Sequence, residues 1–262
     1  MLVSPRRINR SELDLSGRRL GDAQVAALSA GLNTDRSRNI VSNVEVLDLS
    51  RNNIGIAGAR ALADKLLDND VLLDLRLNAN RIGAEGTVLL GKALISNCHI
   101  QRLSLGANDI GPTGATAIAH VLEQNAHLRR LELGMNAIGN AGAKALSDSL
   151  RSNRALEYLW LGSNKIDNDG AHHLIHAIED NTHLLDVMVE DNQFDESTKR
   201  KVLFEVDKAV TRNRRGHTDP ADPTPVDESN PHVQAARERQ TKYVIRNAAR
   251  KIEREGGSHS EL

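Results

Sequence analysis

A twelve-residue pattern recurs six times in the middle of this chain, and its copies start 28 residues apart without a slip. The first copy reads VEVLDLSRNNIG from Val44, and the last reads LLDVMVEDNQFD from Leu184. A seventh, weaker copy lies upstream, where Leu13, Leu15 and Leu20 keep the same frame. A fixed period of this length is typical of a solenoid, in which each unit packs on its neighbours along the chain.

Each repeat combines a strand pattern with a helix pattern. In the Val44 copy, the alternation of Leu47 and Leu49 predicts a short strand with one buried face. Asn52 follows and recurs in every later copy, so we expect its amide to bond the backbone of the turn and to stack in a ladder. Leu62 and Leu66 lie four positions apart and predict an amphipathic helix packed on the strands.

The pattern L-x-x-L-x-L-x-x-N-x-I-G resembles leucine-rich repeats of the ribonuclease-inhibitor type, and the similarity covers roughly residues 9–195. It is also similar to the repeats of the Ran GTPase-activating protein and of NOD-like receptors. The resemblance implies an α/β fold, a right-handed solenoid shaped as a horseshoe. Parallel strands would form its concave side and helices its convex side. Because proteins with such repeats bind many unrelated partners, the resemblance predicts the fold more firmly than the function.

Changes in composition predict four segments. We expect residues 1–211 to form the solenoid of about seven repeats with a capping helix. Residues 212–231 hold four prolines and few apolar residues, which predicts a disordered linker. Residues 232–255 carry seven Arg or Lys against three Glu and are predicted to form a basic helix. Residues 256–262 then form a flexible tail.

Charge and cysteine content limit the possible functions. A formal net charge of −1 disfavours a nucleic-acid binder. Cys98 is the single cysteine, which fits a reducing compartment. No apolar run resembles a signal peptide or a membrane span. We therefore expect a cytoplasmic monomer without a cofactor, and membrane contact through the 232–255 helix is a secondary alternative.

Four positions of each repeat are expected to face the concave wall, because strand side chains alternate between the two faces. Large side chains gather at these positions in the last three repeats, with arginines and acids beside them. Such a composition is typical of a protein-binding hot spot. The candidate partner-binding residues are Arg102, Arg130, Glu132, Met135, Tyr158, Trp160, Asp186, Met188 and Glu190. Gly134 and Gly162 are expected to leave room for a partner, although Trp160 packing only on its neighbours is the competing interpretation.

No sequence motif indicates catalysis. The chain has no phosphate-binding loop and no nucleophile elbow, so we expect neither an enzyme nor any catalytic residue. His172, His173 and His176 form H-H-x-x-H on a predicted helix, where exposed surface histidines are favoured over a metal site.

The predicted function is a non-catalytic module that binds a protein through its concave face, mainly with repeats five to seven. The wall positions hold eight acids and four arginines, which favours a partner with a moderately basic patch. A regulator that stimulates a GTPase or another enzyme in trans is the alternative, including one delivered into another cell.

Overall fold

The computed structural model describes residues 12–32 and 43–216, with side chains described as far as residue 213. Within these residues, seven three-residue strands form one parallel sheet in sequence order. The strands are β1 Glu12–Asp14, β2 Val46–Asp48, β3 Asp74–Arg76, β4 Arg102–Ser104, β5 Arg130–Glu132, β6 Tyr158–Trp160 and β7 Asp186–Met188. Each strand pairs with its neighbour without a shift, so equivalent residues of adjacent repeats are aligned.

A helix follows every strand, and the helices between strands lead the chain back to the level at which the next parallel strand begins. The helices are α1 Asp22–Ser29, α2 Ile56–Leu66, α3 Gly83–Ser96, α4 Gly111–Gln124, α5 Gly139–Leu150, α6 Asn168–Asp180 and α7 Glu196–Gly216. Each helix packs on the next one, which produces a two-layer solenoid and confirms the predicted fold class. None of the described helices is long and apolar enough to cross a membrane.

The core lies between the strand layer and the helix layer. The middle leucine of each strand from β2 to β6 is almost completely buried, and so is the isoleucine of each following turn. These leucines are Leu47, Leu75, Leu103, Leu131 and Leu159. Stacking identical side chains in columns fills the core without large rings, which explains how a chain with 2% aromatic residues folds.

A ladder of buried asparagines connects the turns that follow the strands. The Asn108 amide nitrogen donates to the carbonyl oxygen of Leu105 in its own repeat (3.0 Å) and of Leu77 in the preceding repeat (2.9 Å). The Asn108 Oδ1 accepts from the Ile82 N–H (3.4 Å), and its backbone N–H donates to Asn136 Oδ1 (2.8 Å). Asn136 and Asn164 likewise bond to both neighbouring repeats, which confirms the predicted ladder.

A second asparagine ladder runs along the ends of the helices and is closed by α7. Asn181 donates to the carbonyl oxygens of Leu150 (2.7 Å) and Asn153 (3.1 Å). Asn213 in turn donates to the carbonyl oxygens of Leu184 (2.7 Å) and Asn181 (3.2 Å). Asn213 follows Asn181 by 32 residues instead of 28, so the repeat period conceals its equivalence.

Helix α7 continues to Gly216 and so includes the first five residues of the predicted linker. Arg212 bonds the carbonyl oxygen of Glu179 (2.8 Å) and thereby caps the end of α6. The rest of the predicted linker, the basic helix 232–255 and the tail 256–262 lie outside the described residues.

The residue before each helix takes one of two backbone conformations. Gly21 and Gly55 before α1 and α2 are extended, with φ −100° and −106°. Gly83, Gly111 and Gly139 begin α3, α4 and α5 with φ of +62° to +64°, a conformation that glycine adopts without steric cost. Asp167 occupies the equivalent position before α6 with an extended backbone, φ −98°. Its carboxylate instead accepts from the Asp169 N–H (2.9 Å) and caps the helix.

We predict that Asn108→Ala destabilises the solenoid by about 3 kcal/mol, because buried carbonyl oxygens lose their donor and cannot reach water. The matched control is Asn53→Ala, whose exposed side chain should change the free energy of unfolding by less than about 0.5 kcal/mol. Urea denaturation measures both values. Equal stability of Asn108→Ala and Asn53→Ala would show that the ladder does not support the fold.

Candidate functional site: the concave strand wall

The strand register brings the predicted binding residues together on one surface. Arg102, Arg130, Tyr158 and Asp186 are aligned Cα partners along β4 to β7 and form one column. Glu132, Trp160 and Met188 form a second column along β5 to β7. Met135 and Glu190 follow the ends of β5 and β7, and the Met135 N–H donates to the Gly162 carbonyl oxygen (2.9 Å). The in-register pairing of the strands therefore aligns these residues in columns, as the fixed 28-residue period predicts.

The indole of Trp160 covers the glycines of this wall. A Cβ atom on Gly134 would lie only 2.6 Å from Trp160 Cζ2, and one on Gly162 would lie 2.5 Å from Glu190 Oε1. The expectation that these glycines leave room for a partner is therefore wrong, because Trp160 and Glu190 already fill the space. Glycine at these positions is what allows a tryptophan to lie flat against the backbone.

Trp160 is only 6% exposed, and its polar atom has a specific partner. The Trp160 Nε1–H donates to Glu190 Oε1 over 2.6 Å. This bond satisfies the indole and holds the carboxylate of Glu190 against the wall. Trp160 thus forms part of the floor of the site and fixes the position of one of its acids.

Arg130 and Tyr158 form a stacked pair in the first column. The guanidinium carbon of Arg130 lies 4.1 Å from the centre of the Tyr158 ring, which is the geometry of a cation–π contact. Arg130 is 9% exposed, whereas Tyr158 is half-buried and keeps part of its ring at the surface. The stack makes both side chains rigid, so they present a fixed surface.

Met135 is the exposed large apolar side chain of this part of the wall. Its side chain is 47% exposed, in contrast to Met188, which is buried. Its backbone lies in the left-handed region with φ +61°, and the residues at the equivalent position in the neighbouring repeats share this conformation. The rim of the wall therefore offers an apolar side chain beside the buried floor.

Asn78 is a wall residue outside the set of predicted binding residues. Its Oδ1 accepts from the Gly106 N–H (2.7 Å), and its Nδ2 lies 3.4 Å from Glu132 Oε2. The side chain of Asn78 thus reaches across a whole repeat, because Gly106 has no side chain to block it. The sequence feature that could have indicated this contact is a polar residue at a wall position that is glycine in the next three repeats.

Ion pairs neutralise acids in the N-terminal half of the wall. Arg76 bonds the buried Asp74 through Nη2 (2.9 Å) and lies 3.6 Å from Glu12 Oε1 and 4.0 Å from Asp48 Oδ2. Arg102 approaches the same Asp74 carboxylate from the next strand (3.7 Å). The C-terminal segment 186–191, by contrast, contains three acids and no basic residue. The last strand of the wall and the turn after it are therefore acidic in composition.

Burial raises the pKa of Asp48 above its ordinary value. Hydrogen bonding from Ser50, whose N–H donates to Asp48 Oδ1 (2.8 Å), and the charge of Arg76 act in the opposite direction. The neighbouring Asp14 carboxylate adds to the increase. A carboxylate with a raised pKa in the folded state costs stability while it is ionised, and protonation removes that cost.

The candidate histidines lie on the helical side of the solenoid. His172 and His176 are exposed on α6, and His176 Nδ1 lies 3.2 Å from Glu179 Oε2. Over the described residues, no three His, Cys, Asp or Glu side chains are grouped in a way that could hold a metal ion.

We predict that Gly134→Ala displaces the indole of Trp160, because a methyl group there would overlap the ring. Trp160 is the only tryptophan, so its fluorescence reports this site alone. The emission should shift to longer wavelength and the free energy of unfolding should fall by about 2 kcal/mol. The matched control is Gly91→Ala on α3, where the added Cβ would meet its nearest neighbour at 3.4 Å. An unchanged spectrum for Gly134→Ala would contradict this packing.

We predict that Asp48→Asn is more stable than the wild type at pH 7 and that the difference shrinks towards zero as the pH falls. The amide removes a buried charge but keeps an oxygen for the Ser50 N–H, and acid neutralises Asp48 in the wild type. Denaturation between pH 7 and about pH 4 tests this. Asp64→Asn, on the exposed surface of α2, should leave stability unchanged at both ends of the range. A difference that grows in acid would contradict the sign of the shift.

Comparison with known proteins agrees with the repeat pattern. The leucine-rich repeat family model matches residues 42–63, 96–119 and 124–147. No curated protein matches the chain at a significant level. The solved structure of leiomodin-1 actin-binding site 2 matches with a TM-score of 0.53 and 22% identity, over 59% of this chain and 88% of that one.

The C-terminal domain of tropomodulin from Caenorhabditis elegans matches with a TM-score of 0.52 and 21% identity, over 60% of this chain and 94% of that one. At these identities the likeness concerns the fold. The matched repeats, the 28-residue period and the parallel sheet with its outer helices agree with one another, and the chain folds as a leucine-rich-repeat solenoid.

Proposed function

We propose that this chain is a non-catalytic module that binds a protein partner through its concave wall, mainly with repeats five to seven. The observations that carry the proposal are the exposed Met135 just past the end of β5 and the Arg130–Tyr158 stack at the start of β5 and β6, both on the same wall. An exposed apolar side chain and a preorganised aromatic on one wall can bury area on binding at little entropic cost. The buried Trp160 contributes indirectly, as the floor that keeps these groups in place.

The chemistry of the partner follows from the charges of the wall. Asp186, Glu190 and Asp191 lie at its C-terminal end, and Glu190 is positioned by the indole of Trp160. These acids favour a partner that places basic side chains opposite repeats six and seven, with an apolar group against Met135. Arg102, Arg130 and Glu132 complete the proposed contact surface. Charge complementarity of this kind mainly increases association rate and specificity.

Use of the same fold by a solved relative supports the proposal. The leiomodin-1 structure is described as an actin-binding site. That description indicates that a solenoid of this shape can serve as a protein-binding surface. We propose binding of a protein for this chain and leave the identity of the partner to experiment.

The test compares Met135→Glu with Ala79→Glu. Both residues are exposed, occupy the same rim position of their repeats and have a left-handed backbone, with φ of +61° and +56°. Partners are captured with the wild-type chain, and the affinity of each captured protein for both variants is then measured by titration. We expect Met135→Glu to weaken binding at least about tenfold, as at a hot-spot residue, and Ala79→Glu to have no effect.

Charge reversal provides a second measurement on the same captured partner. Asp191→Lys should slow association, and the difference from wild type should diminish at high salt. If neither Met135→Glu nor Asp191→Lys changes the affinity of any captured protein, the concave wall is not the binding surface. Circular dichroism confirms that each variant is folded before binding is compared.

A further inference from the structure

The outer face of the last helix carries the most exposed large apolar side chain among the described residues. Phe204 is 65% exposed in the middle of α7. The opposite side of the same helix is packed into the solenoid through the buried residues Val202, Val206 and Ala209. The orientation of α7 is therefore fixed by its buried side, and Phe204 is held outwards.

Basic side chains surround Phe204 on this face. Arg200 and Lys208 lie four residues before and after it, and Lys201 lies three residues before it, so all three are its neighbours on the helix surface. All three are exposed, and Lys208 also bonds the buried Glu205 (3.0 Å). Asp207 is the one acid within this group of helical neighbours. The face is thus an aromatic side chain flanked by three basic residues and one acid.

The shape of this face selects its ligand. Phe204 stands on the ridge of a helix, whereas a rigid protein would need a matching cavity to bury a projecting ring. A lipid interface adapts to any projecting side chain and accepts the ring while anionic headgroups meet the cations. Long Lys and Arg side chains can also extend along the interface and keep their charges hydrated.

We propose that the outer face of α7, defined by Arg200, Lys201, Phe204 and Lys208, is a docking site for an anionic lipid bilayer. The contact is peripheral, with Phe204 entering the interface and the three cations binding headgroup phosphates and carboxylates. Membrane binding by one inserted group is weak and requires a second, electrostatic contribution. The chain after α7 can supply such a contribution, because residues 232–255 are also basic, with seven Arg or Lys against three Glu.

The proposal is tested with the full chain and two kinds of vesicle, phosphatidylcholine alone and phosphatidylcholine mixed with phosphatidylserine. Co-sedimentation measures the fraction bound. We expect binding to the anionic vesicles and none to the neutral ones. Phe204→Ala should lower the partition coefficient at least about fivefold, since apolar area is no longer buried. Lys201→Glu should lower it about tenfold through the reversed charge.

Two matched controls separate this face from general surface effects. Ile56→Ala removes another exposed apolar side chain, on α2, and Lys92→Glu reverses an exposed charge on α3. Both should bind vesicles like the wild type. Thermal denaturation checks that Phe204→Ala and Lys201→Glu remain folded, as expected for exposed side chains.

Several outcomes overturn the proposal. Absence of wild-type binding to anionic vesicles does so directly. Binding that is unchanged in Phe204→Ala and Lys201→Glu assigns it to another part of the chain. Binding of soluble polyglutamate that Lys201→Glu abolishes, without binding to vesicles, identifies an acidic protein as the ligand instead. Because Met135→Glu leaves α7 intact, failure here is distinguishable from failure of the concave-wall proposal.

Discussion

Buried asparagine amides set the spacing of the whole solenoid. Each one bonds a carbonyl oxygen in its own turn and another in the preceding repeat, and its own oxygen accepts from that repeat's backbone. A short strand cannot satisfy its flanking turn by strand pairing alone, so the side-chain amide replaces the missing backbone partner. Because two of these bonds join consecutive repeats, the geometry of one repeat fixes the next, and the parallel sheet keeps its register throughout.

Because the register is fixed, the linear repeat pattern determines which residues are neighbours on the wall surface. Residues 28 positions apart become neighbours, so the Arg130 guanidinium meets the Tyr158 ring and Trp160 is placed between Glu132 and Met188. Charges are sorted in the same way. Arg76 pairs with acids in the N-terminal half, and the segment 186–191 at the other end contains three acids and no basic residue. A repeat scaffold therefore supplies a stiff wall whose chemistry varies from one repeat to the next.

The end of the solenoid obeys a different constraint from its middle. The last repeat has no successor, so α7 supplies Arg212 and Asn213 to carbonyl oxygens that a further repeat would otherwise bond. Its outer side then has no helix packed on it among the described residues, and Phe204 with its basic neighbours occupies that side. Closing the ladder and presenting a new surface are thus two consequences of the same terminal helix.

The amino-acid sequence by itself determined the repeat length, the strand-and-helix order, the buried leucines and the asparagine ladder, because each depends on local periodicity and on nearest-neighbour repeats. It also determined which residues share the concave wall. Only the tertiary structure decided how those side chains occupy space. The ring of Trp160 lies over Gly134, Asn78 reaches Glu132 across Gly106, and Asn213 closes a ladder from outside the period. These depend on rotamers and on packing between non-equivalent residues, which a repeating pattern does not encode.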